Sequence, residues 1–307
     1  GVQTCALPIL LFAENKREEI YEMRPDYPYA VRRFDVDLSG TMIAPWHWHE
    51  EMELLLVKAD GLNYDMMGEC LMLKKGDVLF VNSNTLHQVY ASDAGKHIRY
   101  DVHMFRGSLI ADPDSLIEKN YVRPLQQMQT AKWILLKNGE ADHWKVLKCL
   151  EQLSELEQKR SYGYELYSRN LLSEILLYLL DRKRNETKNE SRETVGREME
   201  NEMRLRKMLL YIQEYYGEHL SLADLAKAAN IGERECLRCF QKTLHTSPFR
   251  YLQEYRIQAA SNRLKNSELK IVDIALQCGF SSASYFGKVF HREMGCTPQE
   301  YRKQKSI

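Results

Sequence analysis

"IVDIALQCGFSSASYFGKVFHREMGCTPQEYR", residues 271–302, decides the fold, because a partial copy of it stands about fifty residues earlier. "LADLAKAANI" (222–231) lines up with "IVDIALQCGF" (271–280), pairing Asp224 with Asp273 and Ala226 with Ala275 at an offset of 49. "FQKTLHTSPFRYL" from Phe240 lines up with "FHREMGCTPQEYR" from Phe290, pairing Pro248 with Pro298 and Tyr251 with Tyr301 at an offset of 50. The one extra residue falls between 280 and 290, where a turn should meet the next helix. Self-similarity at such a period marks two copies of one supersecondary unit placed side by side.

Each copy opens with a short helix of pattern apolar-x-x-apolar-Ala, turns at Asn230 or Gly279, and continues as a second helix. In the second helices Cys236 and Phe240, and Phe286 and Phe290, are four apart and face inward. This is helix-turn-helix patterning: the first helix braces while the second enters a major groove. The outward positions are then the readers. They are Arg234, Leu237, Arg238 and Gln241 in the first copy, and Ser282, Ser284, Lys288 and His291 in the second. Arg bonds guanine bidentately, Gln pairs with adenine, and Ser or His reaches bases or phosphates. The competing reading, a merely solvated polar face, loses ground because two matching copies share a basic surround. Residues 204–307 hold 17 Lys and Arg against 10 Asp and Glu, while the rest of the chain holds 26 against 33. The net charge of zero therefore hides a basic C-terminal third suited to a polyanion, most simply double-stranded DNA.

Residues 204–307 resemble the DNA-binding domain of AraC-type transcription regulators. The likeness is carried by "LADLAKAANI", by "RCFQKTLHTSPFRYLQEYRIQAA", and by Gly279-Phe280, Tyr285-Phe286, Phe290, Gly295, Thr297-Pro298 and Tyr301-Arg302 of the opening stretch. The resemblance implies an all-α domain of seven helices. Its two helix-turn-helix units would be joined by a long helix over about 248–265, with both reading helices in successive major grooves. One departure stands out: Gly232 and Glu233 begin the first reading helix, and Cys236 sits where the family usually has Leu. Gly caps a helix less well than Ser, and Glu233 falls where phosphates come close, so a weaker grip by this unit is expected.

The N-terminal half reads differently. Between 31 and 110 short apolar runs such as "AVRRFDVDL", "LNYDMM", "HQVYA" and "HIRYDVHMF", broken by Gly, Asn and Asp, predict an all-β barrel or sandwich. In "APWHWHEEMELLLV" (44–57), His47, His49 and Glu53 occupy odd positions of what reads as one strand, so all three share a face. Downstream, "KKGDVLFVNSNTLHQV" spaces Gly76 and His87 eleven apart. The two stretches resemble the two motifs of a cupin barrel, whose four side chains point into one cavity. The second motif is looser, with Asn82 in place of the usual Pro.

Three readings of His47, His49, Glu53 and His87 stand side by side: an effector pocket that hydrogen-bonds hydroxyls or carboxylates, a divalent metal site, or histidines satisfied by their neighbours. No cofactor is demanded by the pattern. Trp46 and Trp48 fall on the opposite strand face, where packing is expected, and Trp46 at the barrel mouth is placed to stack on a sugar ring.

Residues 111–181 predict a helical hairpin, with Val146, Leu147, Leu150, Leu153 and Leu156 on one stripe, suited equally to packing within the chain or to a homodimer. Residues 182–203 are charged, with few large apolar side chains, and read as a solvated linker. Residues 1–30 read as an N-terminal arm, and the opening "GVQTCALPIL", without an initiator Met, as a truncated or misassembled start. Seven scattered cysteines imply a reducing, cytoplasmic setting rather than a disulfide framework, and Cys236 and Cys239 are expected as small core residues. No apolar run reaches the length of a membrane span.

The expectation is a multidomain α and β protein: a cupin-like barrel with a helical hairpin, then an all-α double helix-turn-helix domain. The function expected is a DNA-binding regulator that responds to a small molecule, with a sugar as one candidate, and that contacts RNA polymerase if it activates. The alternative is a metal-dependent cupin enzyme fused to a DNA-targeting module; no general base or nucleophile motif supports it.

Overall fold

A computed structural model describes residues 23–37, 42–66, 69–93, 97–128, 132–141, 143–186 and 192–303. Most of the expected N-terminal arm, and Cys5 with it, lies outside them. The strands in chain order are β1 (Tyr29–Asp37), β2 (Met42–His47), β3 (Met52–Val57), β4 (Leu62–Met66), β5 (Glu69–Leu73), β6 (Val78–Val81), β7 (His87–Ala91), β8 (His97–Phe105) and β9 (Trp133–Leu136). They form two antiparallel sheets, ordered β1-β8-β3-β6-β9 and β2-β7-β4-β5.

Strand alternation decides which side chains meet. Leu55 and Val57 of β3 share one buried cluster with Tyr64, Leu79, Val81, Val89 and Met104, between the two sheets. Leu54 and Leu56 point the other way, into a second cluster with Phe80, Ile134 and Leu136. That outer face is covered by α2 (His143–Lys159) and α3 (Tyr164–Glu186), through Val146, Leu150, Leu153, Leu172, Ile175, Leu176 and Leu179. The helical hairpin thus packs on the barrel of its own chain, and β3 is buried along its whole length because both its faces are covered.

Three features differ from the sequence reading. The barrel does not end at 110: β9 arrives after a π-helical turn at Glu118–Val122 and the short α1 (Arg123–Gln127), and pairs with β6. Four apolar residues, "WILL", are too short a run to announce a strand inside a helical region; pairing with the β6 edge supplies what local propensity does not. Second, 44–57 is not one strand. The chain leaves β2 at His47, crosses through 48–51, and re-enters as β3 in the other sheet.

Third, the charged stretch read as a linker is helical on both sides of 187–191, with α3 running to Glu186 and α4 (Arg192–Tyr215) beginning soon after. Ion pairs one turn apart, Arg204–Glu200 at 2.5 Å and Arg206–Glu202 at 3.2 Å, support this helix.

After α4 come α5 (Leu222–Ala228), α6 (Glu233–Leu244), α7 (Pro248–Asn266), α8 (Ile271–Gln277), α9 (Ala283–Met294) and α10 (Pro298–Lys303). With α4 this makes the expected seven helices among the described residues, and α7 is the long connecting one. Each unit has its own core. Cys236, Phe240 and Leu225 sit in one with Leu205, Met208, Leu209 and Ile212 of α4, and Phe286, Phe290, Ile274 and Ala275 in the other.

The extra residue of the second copy lies in its turn. Gly232 and Ser282 cap the two second helices at an offset of 50, whereas Asn230 and Gly279, both at positive φ (55° and 78°), are 49 apart. Gly279 has a further reason to be glycine: a Cβ there would meet Tyr216 O at 2.6 Å and Arg256 Nη2 at 2.7 Å. The first helices begin differently. Ser221 and Asp224 form a capping box on α5, with the Ser221 hydroxyl accepting from Asp224 N at 3.2 Å and the Asp224 carboxylate accepting from Ser221 N at 2.8 Å.

Candidate functional site

The four residues singled out in the barrel do converge, but not as one strand face. His47 ends β2 and is the register partner of His87, which begins β7. Their rings lie 4.2 Å apart, centroid to centroid. His49 belongs to the crossing between sheets, and Glu53 projects from β3 in the opposite sheet. Donor atoms of the three histidines lie within 4.8 Å of one another. His49 Nε2 is 3.2 Å and His87 Nε2 3.7 Å from Glu53 Oε2. Exposure is 4% for His47, 2% for His49, 4% for Glu53 and 1% for His87.

A fifth member was missed: Tyr64 donates its hydroxyl to Glu53 Oε1 at 2.7 Å and stacks near His87. Its signal was present in "LNYDMM", where Leu62, Tyr64 and Met66 alternate inward on β4. Burial opposes charge on Glu53. The hydrogen bond with His49, electrostatic attraction to the His87 and His49 rings and the Tyr64 hydroxyl outweigh burial and hold the carboxyl down to about 2. His87 is pushed down to about 3, chiefly by burial and then by His47, so its ring is neutral at pH 7.

Trp46 and Trp48 do not line this cluster. Both point away from it and join the buried cluster made by Leu86 and by Leu205, Met208, Leu209 and Ile212 of α4. Trp46, expected to stack on a ligand, is 3% exposed inside that contact. The Arg206 guanidinium lies 5.7 Å from the Trp48 ring centre, and Lys132 bonds Glu202 at 2.6 Å beside it. Thus "WHWH" carries the histidine cluster on one side and the seat of the helix-turn-helix half on the other.

At the other end, all eight expected reading residues are exposed on α6, on α9 or at the N-cap of α9. Ser282 is that N-cap, its hydroxyl accepting from Tyr285 N at 3.2 Å, so it positions the helix first. Arg238 is paired with Glu235 at 2.7 Å, and Glu235 also lies 3.7 Å from Arg204. The first turn of α6 holds Glu233 and Glu235, whereas that of α9 holds no acid. Tyr285, half exposed on α9 and bonded by Gln253 at 3.1 Å, was not singled out; only its half-open position reveals it. Cys236 and Cys239 are core residues. Burial pushes the Cys236 thiol up to about 11 and raises that of Cys239, so neither offers a thiolate.

Comparison with known proteins agrees with this arrangement. A family model described as "Helix-turn-helix domain" matches residues 225–304. Among curated relatives, the uncharacterized HTH-type transcriptional regulator YdeC of Bacillus subtilis (strain 168) is 26% identical over 294 residues, spanning 95% of this chain and 98% of that protein. The HTH-type transcriptional activator RhaS of Enterobacter sp. (strain 638) is 25% identical over 84% of this chain and 87% of its own. The chain carries an AraC-family helix-turn-helix domain in its C-terminal region and is similar over most of its length to transcriptional regulators. A crystal structure of a transcriptional regulator with an AraC-type DNA-binding domain, from Chromobacterium violaceum, is 30% identical with TM-score 0.34, covering 34% of this chain and 94% of that one. The curated relatives are named regulator and activator, so the enzyme alternative is set aside for this regulator. None of its described helices is long and apolar enough to cross a membrane.

Proposed function

We propose that the regulator reads promoter DNA with α6 and α9, and that a small ligand at the histidine cluster biases how the barrel holds those helices. One observation carries this. Four consecutive residues alternate between the cluster (His47, His49) and the contact with α4 (Trp46, Trp48). A ligand acts only by preferring one arrangement over another. Here a shift of the 46–49 segment displaces the Trp pair on α4. That helix is tied to both reading units, through its apolar face in the first and through Tyr216, next to its C-terminus, in the second: Arg256 donates to Tyr216 O at 2.7 Å, and Arg263 to the Tyr216 hydroxyl at 3.2 Å.

The regulator is read as cytoplasmic and as a homodimer on paired sites, contacting RNA polymerase if it activates. Exposed Tyr162, Leu166 and Tyr167, around the turn into α3, offer apolar area for a second copy.

The test is selection of random duplexes by the full chain, followed by salt titration and comparison with His49→Ala. A selected site with two elements about 10 base pairs apart is expected from two reading helices in successive grooves. His49→Ala is expected to keep basal binding and lose the response to ligand. Equally tight binding to every duplex refutes sequence reading, and an intact response in His49→Ala moves the sensor site elsewhere.

A further inference from the structure

The two reading helices superpose residue by residue in sequence, since Phe240 and Phe290 stand 50 apart. At that offset Glu235 falls on Tyr285 and Arg238 on Lys288. Glu235 and Tyr285 are each the third residue of their helix. Each is also held from the long helix that precedes its unit. Tyr285 accepts a hydrogen bond from Gln253 Nε2 of α7 at 3.1 Å, and Gln253 Oε1 in turn accepts from Arg292 Nη2 of α9 at 3.2 Å. Glu235 Oε1 lies 3.7 Å from Arg204 Nη1 of α4. The side chains differ in every case between the two copies, yet the tie recurs at the same place on the helix.

In the first unit the held residue holds a reader in its turn. Glu235 Oε1 accepts from Arg238 Nη2 at 2.7 Å, and this is the same oxygen that Arg204 approaches. The bond from Arg238 keeps the carboxyl below the usual carboxylate range, so it is charged at neutral pH. The Glu235 side chain is 26% exposed and that of Arg238 68%, so the carboxylate is set back on the helix and the guanidinium reaches outward. An arginine that is free to turn spreads over many rotamers and loses that freedom on docking; one held beforehand loses less. A bare acid at this place would repel phosphate and weaken binding. Helix-dipole stabilisation accounts for the first-turn acids Glu233 and Glu235 alike, but not for the two-sided grip on Glu235.

We propose that Glu235 is the positioning residue of the first reading helix: held by Arg204 of α4, it sets the direction in which Arg238 meets a base pair. This rests on the reading of α6 and α9 as DNA-reading helices. Since α4 also seats Trp46 and Trp48, a displacement of α4 reaches the reading arginine through this one carboxylate.

The test uses the full chain and its Glu235→Ala, Arg238→Ala, double and Arg204→Gln variants, each checked for folding by circular dichroism. Affinity is measured for the selected duplex and for the three duplexes altered at the base pair where Arg238→Ala relaxes preference. Glu235→Ala should bind all four more tightly at low salt, because an acid has gone, while its preference at that base pair falls roughly 2–5-fold, the reach of an exposed ion pair. A merely structural role would shift all four alike. In the Arg238→Ala background, Glu235→Ala should leave the remaining preference unchanged. Arg204→Gln should lower the same preference as Glu235→Ala; an unaltered preference there refutes the hold from α4. Preference unchanged in Glu235→Ala overturns the proposal, as does an equal shift on all four duplexes. An undiminished effect in the Arg238→Ala background overturns it too, because Glu235 would then read the base itself. If Arg238→Ala relaxes no position, there is no reader to orient and the proposal fails. A wild-type chain that enriches no duplex refutes the DNA reading and this proposal with it. Enrichment by wild type with Glu235→Ala indistinguishable from it refutes the proposal alone.

Discussion

Replacing Gly279 by Ala tests the packing of the second reading unit against the rest of the regulator. The residue holds φ +78°, where an L side chain costs about 1–2 kcal/mol. The added methyl would sit 2.6 Å from Tyr216 O, a backbone atom already accepting from Arg256 Nε at 2.7 Å, and 2.7 Å from Arg256 Nη2. Arg256 cannot simply swing aside, since Nη2 also donates to Glu218 O at 2.7 Å. Overpacking of this kind costs about 1–3 kcal/mol, while restricting the unfolded chain returns about 0.4–1 kcal/mol. The net expectation is a loss of about 2–4 kcal/mol.

The control is Gly287→Ala in α9, where nothing lies within 4 Å of the new Cβ. Removing a mid-helix glycine there should gain about 0.5–1 kcal/mol. Urea unfolding followed by far-ultraviolet circular dichroism gives both numbers from shifts in midpoint at constant slope. A loss below about 0.5 kcal/mol in Gly279→Ala would show that the α4 end, α7 and the second unit are not locked as described. The same conclusion follows if the two variants behave alike.

Other perturbations read other parts of the molecule. Arg238→Ala should relax base preference at one position and cost about 1–3 kcal/mol in specific binding; equal loss on all duplexes would mean that it touches only phosphate. Glu233→Gln should tighten binding at low salt, because it removes an acid from the first turn of α6; unchanged affinity would show that this end stays clear of the backbone. Trp48→Ala should leave the barrel and the DNA-binding half folded while raising protease sensitivity between them, since its ring is 6% exposed within the α4 contact; unaltered cleavage would deny that contact a role.

His103 gives a pH signature. Burial, aided by Arg33 and Lys58, pushes it down to about 3, and it is bonded to the Tyr29 hydroxyl at 2.8 Å. Below about pH 6.5 the unfolded chain takes a proton that the folded chain refuses, so stability is present above that pH and falls toward pH 3. His103→Gln should be shallower than wild type over this window by about 1.4 kcal/mol per pH unit. Identical slopes would contradict a neutral, buried His103.

The DNA-binding half was legible because its information is local and doubled. Helical spacing places Phe240, Phe286 and Phe290 inward, the turns need Asn230 and Gly279, and a second copy confirms each inference drawn from the first. The strands and the helical hairpin of the barrel half were legible for the same reason: periods of two and near four survive in the sequence.

What the sequence could not decide was anything settled by partners distant along the chain. "WILL" becomes β9 because the β6 edge stands open to it, and the charged stretch before 204 becomes the start of α4 because its C-terminal part packs on both halves. His47, His49 and Glu53 were expected together because of strand parity. They meet because the chain changes sheets after His47 and brings His87 in as its register partner. Residue types and spacing were thus enough to name the four side chains of the cluster. The dryness of their site, the tautomers set by Glu51 O and Thr85 O, and the Trp pair seated on α4 all arise from closing two sheets and docking a helix. Those contacts join residues far apart in sequence, whose energies no local pattern encodes.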